Sequence, residues 1–189
     1  MADQQDKRRV VTGKVRLSYL SVFEPRKSEF PGSKDKYSAT ILLPKSDTAT
    51  YAKIMAAIEA AKEFGKEKTK KWAGKIPNGL HLPLHDGDGL KETSQEPYGP
   101  ECAGCWVFSA SSEEQPGLVD ASLNPIMSQA DFYSGIYGRA AIQFYPYATG
   151  KNGIGIALGN LQKLEDGVPL SSVAVKPEKD FADGGGFLD

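Results

Sequence analysis

The sequence predicts a mainly β protein: a small β-barrel or curled sheet carrying one main α-helix. Three observations lead there. Apolar and polar residues alternate with period two in several separate stretches. Only one stretch repeats its apolar residues at helical spacing. The 189 residues include 20 Gly and 12 Pro, enough to punctuate a loop-rich β chain.

Residues 10–23 read as the first strand, with Val15, Leu17 and Tyr19 on one face and Lys14, Arg16 and Ser18 on the other. Residues 24–35 form a charged, turn-rich loop containing Pro25, Pro31 and Gly32. The second strand spans 36–43, with Tyr37, Ala39, Ile41 and Leu43 opposed to Lys36, Ser38 and Thr40; Pro44 ends it. Ser46, Asp47 and Thr48 then offer N-cap oxygens. Tyr51, Ile54, Met55 and Ile58 follow at helical spacing, which predicts a helix to Phe64 that frays on toward Lys71. Residues 76–101 carry four prolines and Asp86-Gly-Asp-Gly89, and an irregular segment of that length is commonly functional. Residues 106–110, 135–147 and 153–164 supply three more strands. Residues 1–9 read as a disordered lead-in, 10–170 as one domain and 171–189 as a flexible acidic tail.

The formal net charge is −1, which speaks against a nucleic-acid partner. Its distribution speaks the other way. Residues 1–75 sum to +8 and residues 76–189 to −9, and such segregation points to a polyanion partner. No apolar run approaches a membrane span, the N-terminus lacks an apolar leader core, and two Cys make no disulfide framework. A cytoplasmic protein is the expectation, with no membrane partner.

Candidate chemistry lies in five places. On the 135–147 strand, Ile136, Gly138, Ala140, Ile142 and Phe144 suit a core, which leaves Tyr137, Arg139 and Tyr145 on the open face. Lys14, Arg16 and Lys36 face outward on the first two strands, and Arg26, Lys27, Phe30 and Lys34 lie on the loop between them. Rings that stack bases beside cations that hold phosphates make a single-strand groove, although each residue alone reads as an ordinary solvated face. The lysine run around Lys70 and Lys71, with Trp72 as a stacking platform, is a candidate phosphate-tracking arm or simply a solvated helix end. His81, His85, Cys102 and Cys105 form two close pairs of zinc-type ligands, against the simpler reading of loop histidines and reduced thiols. Asp86 and Asp88 could hold Mg²⁺ for a nuclease, but no further acidic cluster supports them and their glycines mark a turn. Asp180, Phe181, Asp183, Phe187, Leu188 and Asp189 give the tail acidic charge and apolar hooks suited to a basic-rimmed pocket on another protein.

Several stretches together resemble one family, the tailed-phage single-stranded DNA-binding proteins with an OB-fold, long catalogued as a domain of unknown function. They are Lys14-Val-Arg-Leu-Ser-Tyr19 with Val22-Phe-Glu-Pro25, Lys36-Tyr-Ser-Ala-Thr-Ile-Leu-Leu-Pro-Lys45, Pro83-Leu with Asp86-Gly-Asp88, and Gly104-Cys-Trp with Ala110-Ser. Pro116-Gly, Tyr133-Ser-Gly135, Phe144-Tyr-Pro-Tyr147, Gly153-Ile-Gly-Ile-Ala-Leu158, Asn160-Leu-Gln-Lys163 and Asp166-Gly167 complete the set, which spans most of residues 14–167. The resemblance implies an OB-fold that coats single-stranded DNA in replication or recombination, without catalysis, cofactor or marked sequence preference. It also implies a tail that recruits replication or recombination proteins. A homodimer or a cooperative assembly on DNA is left open.

Overall fold

The alternating stretches pair into strands, and their ladders close on themselves. The computed structural model describes residues 6–170. In chain order these form β1 (Arg9–Val11), β2 (Val15–Arg26), β3 (Lys36–Pro44), α1 (Thr48–Lys68), β4 (His85–Asp86), β5 (Cys105–Ser112), β6 (Leu118–Val119), β7 (Tyr137–Tyr147) and β8 (Gly153–Glu165). β2 pairs with β3, β3 with β5, and β7 with β8, all antiparallel. Two short contacts complete the ring: β2 meets β7 through Val15–Gly138 and Arg16–Tyr137, and β5 meets β8 in parallel through Ser111–Ala157. The first ring strand thus neighbours the fourth, and the third runs parallel to the fifth, the strand order of an OB-type Greek key. β1 and β6 extend the ring's margins.

Period two fills the interior. Val15 and Leu17 of β2, Ile41 and Leu43 of β3, Phe108 of β5 and Ile142 and Phe144 of β7 are buried within the ring. α1 starts where Asp47 accepts the Thr50 N–H at 3.0 Å. Its buried stripe, Thr50, Ile54, Ala57, Ile58, Ala61 and Gly65, keeps helical spacing, and small residues at 57, 61 and 65 let the helix sit close on β7. Lys66 and Lys68 in the last turn suit the negative end of the helix dipole.

Three expectations need correcting. The lead-in expected to be disordered over residues 1–9 is already placed from Asp6: Phe144 N–H donates to the Arg8 carbonyl at 2.9 Å, and β1 begins at Arg9. Tyr19, expected inward beside Val15 and Leu17, points outward. The pairs Ser18–Thr40 and Ser21–Ser38 set three steps of β2 against two of β3, so the extra residue makes a bulge. The bulge switches the inward parity from Leu17 to Val22 and leaves Tyr19 73% exposed. Trp72, expected as an exposed stacking ring, is only 3% exposed. Its ring lies under Gly65 and beside Pro146, in a packed corner that no base can enter. Residues 76–101 are largely irregular, as expected, yet stitched down: β4 pairs with β5, and the His81 carbonyl accepts the Ile154 N–H at 3.0 Å. The tail residues 180, 181, 183 and 187–189 lie outside the described residues. No helix among the described residues is long and apolar enough to cross a membrane.

Candidate nucleic-acid interface

The outer face of β3 and β5 is floored with hydroxyls. Alternation that sends Ile41 and Phe108 inward sends Ser38, Thr40, Ser109 and Ser111 outward, and the register sets Thr40 opposite Ser109 and Ser38 opposite Ser111. The Thr40 and Ser109 hydroxyl oxygens lie 3.1 Å apart. Two hollows, of about 470 and 910 Å³, open over this floor and share Tyr19, Thr40 and Ser109, so they form one groove.

The larger half runs beneath the β2–β3 hairpin. Arg26, Lys27, Lys34 and Lys36 line it against a single acid, Glu29, and Phe30 stands there 74% exposed. Lys34 is bound to Glu113 at 2.8 Å, which raises the lysine's pKa and lowers the glutamate's. Arg26 sits 3.8 Å from Glu29. Both pairs are at the surface, where ion pairs hold weakly and a phosphate can displace them.

The smaller half is aromatic. Tyr145 and Tyr147 of β7 stand opposite Gly155 and Gly153 of β8. A Cβ on Gly155 would come within 2.5 Å of Tyr145 Cζ, and one on Gly153 within 2.5 Å of Tyr147 Oη, so the phenol end of each ring sits where a glycine leaves room. Burial against the strand raises the Tyr145 hydroxyl pKa. Tyr98, His81, His85 and Lys91, on the stitched-down segment, form the facing wall. The Tyr147 hydroxyl and His81 Nδ1 lie 3.3 Å apart, while His81 Nε2 and His85 Nδ1 face the two Glu92 oxygens at 3.2 and 3.6 Å.

Six of the residues singled out from sequence as DNA contacts therefore share one groove: Arg26, Lys27, Phe30, Lys34, Lys36 and Tyr145. Lys14, Arg16 and Tyr137 gather in a third hollow of about 500 Å³, which touches the groove through Leu42 and Glu101. There Lys14 and Arg16 cover the Tyr137 ring at 5.3 and 5.5 Å. Lys14 also binds Glu165 at 2.7 Å, and Arg16 donates to the Val168 carbonyl at 2.7 Å. Arg139 stands apart, donating to the Thr12 carbonyl at 2.9 Å. Lys70 and Lys71 follow α1 outside the groove, and Lys71 donates to the Ala148 carbonyl at 3.2 Å. Sequence reasoning missed Tyr19, Tyr98 and Tyr147. Tyr147 shares its parity with Tyr145 and was legible; Tyr19 and Tyr98 depend on a bulge and a tertiary wall.

Neither candidate metal site assembles. Among the described residues no three His, Cys, Asp or Glu converge to hold an ion. Cys102 is buried and Cys105 half-buried, both with pKa values raised by burial. Lys45 Nζ bridges Asp86 at 2.5 Å and Asp88 at 2.7 Å, and the two carboxylates also accept the Asp88 and Gly104 N–H groups at 2.9 Å each. The two carboxylates fasten a turn.

The profile of the family described as Enterobacter phage Enc34, ssDNA-binding protein, matches residues 8–186. Protein p50 of Acyrthosiphon pisum secondary endosymbiont phage 1 is 30% identical over 173 residues, covering 89% of this chain and 90% of that one. The single-stranded DNA-binding protein from bacteriophage Enc34, solved in complex with ssDNA, superposes with a TM-score of 0.68 at 26% identity over 87% of this chain and 90% of its own. The single-stranded DNA-binding protein gp2.5 of bacteriophage T7 shares the fold, with a TM-score of 0.60 at 11% identity over 91% and 97% of the two chains. With its OB-type ring and a profile match over nearly its whole length, the chain belongs to the Enc34 phage ssDNA-binding protein family.

Proposed function

We propose that this chain binds single-stranded DNA in the groove over β3 and β5, with little sequence preference and without catalysis. The continuity of the groove carries the reading: four cations on the hairpin lead onto a hydroxyl floor and then onto rings. Cations track phosphates, rings accept bases of any identity, and small hydroxyl side chains leave room for the strand between them. The Enc34 relative solved with ssDNA supports the same ligand. A non-enzymatic role is supported by Asp86 and Asp88 being engaged by Lys45 and backbone amides.

The protein would coat exposed strands during phage replication or recombination in the host cytoplasm. Its acidic tail, residues 171–189, would recruit partner proteins through Phe181, Phe187 and Leu188, and without DNA would compete with phosphate for the basic hairpin. Fluorescence anisotropy with single- and double-stranded oligonucleotides at two salt concentrations, with Mg²⁺ present, tests the binding reading. Tighter single-strand binding, salt-weakened and without cleavage, is expected. Equal affinity for duplex, or strand cleavage, overturns it. Deleting residues 177–189 should tighten binding at low salt; affinity unchanged across salt removes the competition role.

A further inference from the structure

Tyr19 sits where the basic and aromatic halves of the groove meet, and it does so in a conformation its side chain opposes. Its φ is +46°, in the left-handed region where a bulky residue clashes with its own backbone. Packing does not repay that cost, because the residue is 73% exposed. Among the described residues no ring or cation stacks on it, whereas Tyr137 is covered by two cations.

The backbone around it is fixed from both sides. The Ser18–Thr40 and Ser21–Ser38 pairs bracket the bulge. Leu20 N–H donates to the Ser134 hydroxyl at 3.1 Å, and the Leu17 carbonyl accepts the Gly135 N–H at 2.7 Å. A strained aromatic held this firmly, at the midpoint of a groove, is the pattern of a residue kept for a ligand at the expense of stability.

Building on the single-strand reading, we infer that Tyr19 is a dedicated stacking platform for one unpaired base, presented by the β2 bulge. The strand passes from the hairpin cations to the Tyr145 side across this ring. Tyr19 contributes through the base alone and holds no phosphate.

The variant Tyr19→Gly separates this role from a structural one. Glycine relieves the left-handed strain and forfeits little packing, so the full chain's Tm should rise by about 1–4 °C. Its Kd for a single-stranded oligonucleotide should rise about 5- to 150-fold, the worth of one stacked base. The slope of log K against log salt should stay unchanged, since no phosphate contact is lost. Tyr19→Ala should lose the same affinity without the gain in Tm, and Tyr19→Phe should retain affinity. With an oligonucleotide made wholly of abasic residues, wild type and Tyr19→Gly should bind alike. A fall in Tm for Tyr19→Gly, or unchanged affinity for the base-bearing strand, overturns the inference. Wild-type chain that fails to bind any single strand overturns the single-strand reading itself.

Discussion

Tyr145 shows how one side chain's placement depends on a residue that has none. Its ring rests on Gly155, and the contact exists only because position 155 lacks a Cβ. Gly155→Ala would put a methyl about where the ring lies, and the ring, 37% exposed, can swing outward to make room. The fold should survive, with Tm within about 4 °C of wild type. Single-strand affinity should fall roughly 5-fold or more as the platform tilts off the groove. Paired Tm and anisotropy measurements check this, and a large loss of Tm with intact affinity would place the ring in the core instead. Tyr145 and its outward parity were legible because β7 alternates without a break from Tyr137 to Tyr145. Tyr19 was not legible. One bulged residue inverts the side-chain pattern, and the hydrogen bond from Leu20 to Ser134 that helps fix the bulge spans more than a hundred residues.

At the scale of elements, α1 and the turn after it bury the ring of the lysine run. Gly65 lies on the buried stripe, and a Cβ there would meet Trp72 Cζ3 at 2.4 Å and Pro146 Cβ at 2.7 Å. The indole therefore packs into the corner between helix and sheet. Sequence alone could not reveal this, because the corner is made by β7, some 75 residues later. Gly65→Ala gains about 1 kcal/mol of helix propensity but overpacks the corner by about 1–3 kcal/mol. The expected result is a Tm lowered by a few degrees with single-strand affinity unchanged. The Asp86–Asp88 turn is a second such fastening. Hydrogen bonds from Lys45, and then from backbone amides, hold both carboxyl pKa values below the ordinary range. Depressed carboxyl pKa values stabilise the fold above the unfolded value near 4 and lose that contribution as pH falls through the lower folded values. Lys45, raised by Asp86 and then Asp88, contributes below about 10.4 and loses its contribution as pH rises through its folded value. The turn should therefore hold across neutral pH and loosen below about pH 4. Faster exchange of the Gly104 amide, which bonds Asp88 at 2.9 Å, should report the acid limb after correction for intrinsic exchange. Asp88→Asn should speed that exchange already at pH 7.

For the whole molecule, near-zero net charge conceals a division of labour that the fold makes spatial. The +8 of residues 1–75 places four of its cations on one hairpin, at the mouth of a groove whose floor is uncharged. Part of the −9 beyond residue 75 sits directly against cations of that first part: Glu113 on Lys34 of the hairpin, and Glu165 on Lys14 of the adjoining hollow. If Lys34 and Lys14 meet phosphates as proposed, these acids hold the phosphates' places in the unbound protein, and each must be displaced for its lysine to meet a strand. If all four hairpin cations engage, log K against log salt should fall with a slope of about −3 for single-stranded DNA. Lys27→Ala with Lys36→Ala should roughly halve that slope while leaving Tm within about 2 °C, because both side chains are exposed at the surface. Glu113→Gln should act in the opposite sense. It frees Lys34 in the unbound protein, so binding should tighten at low salt, and the gain should fade as salt screens the pair it removed. Anisotropy titrations of the three proteins from about 50 to 300 mM salt compare these slopes. A slope indifferent to Lys27 and Lys36 would move the phosphate path off the hairpin and toward the Lys14–Arg16–Tyr137 hollow, which adjoins the groove across Leu42 and Glu101.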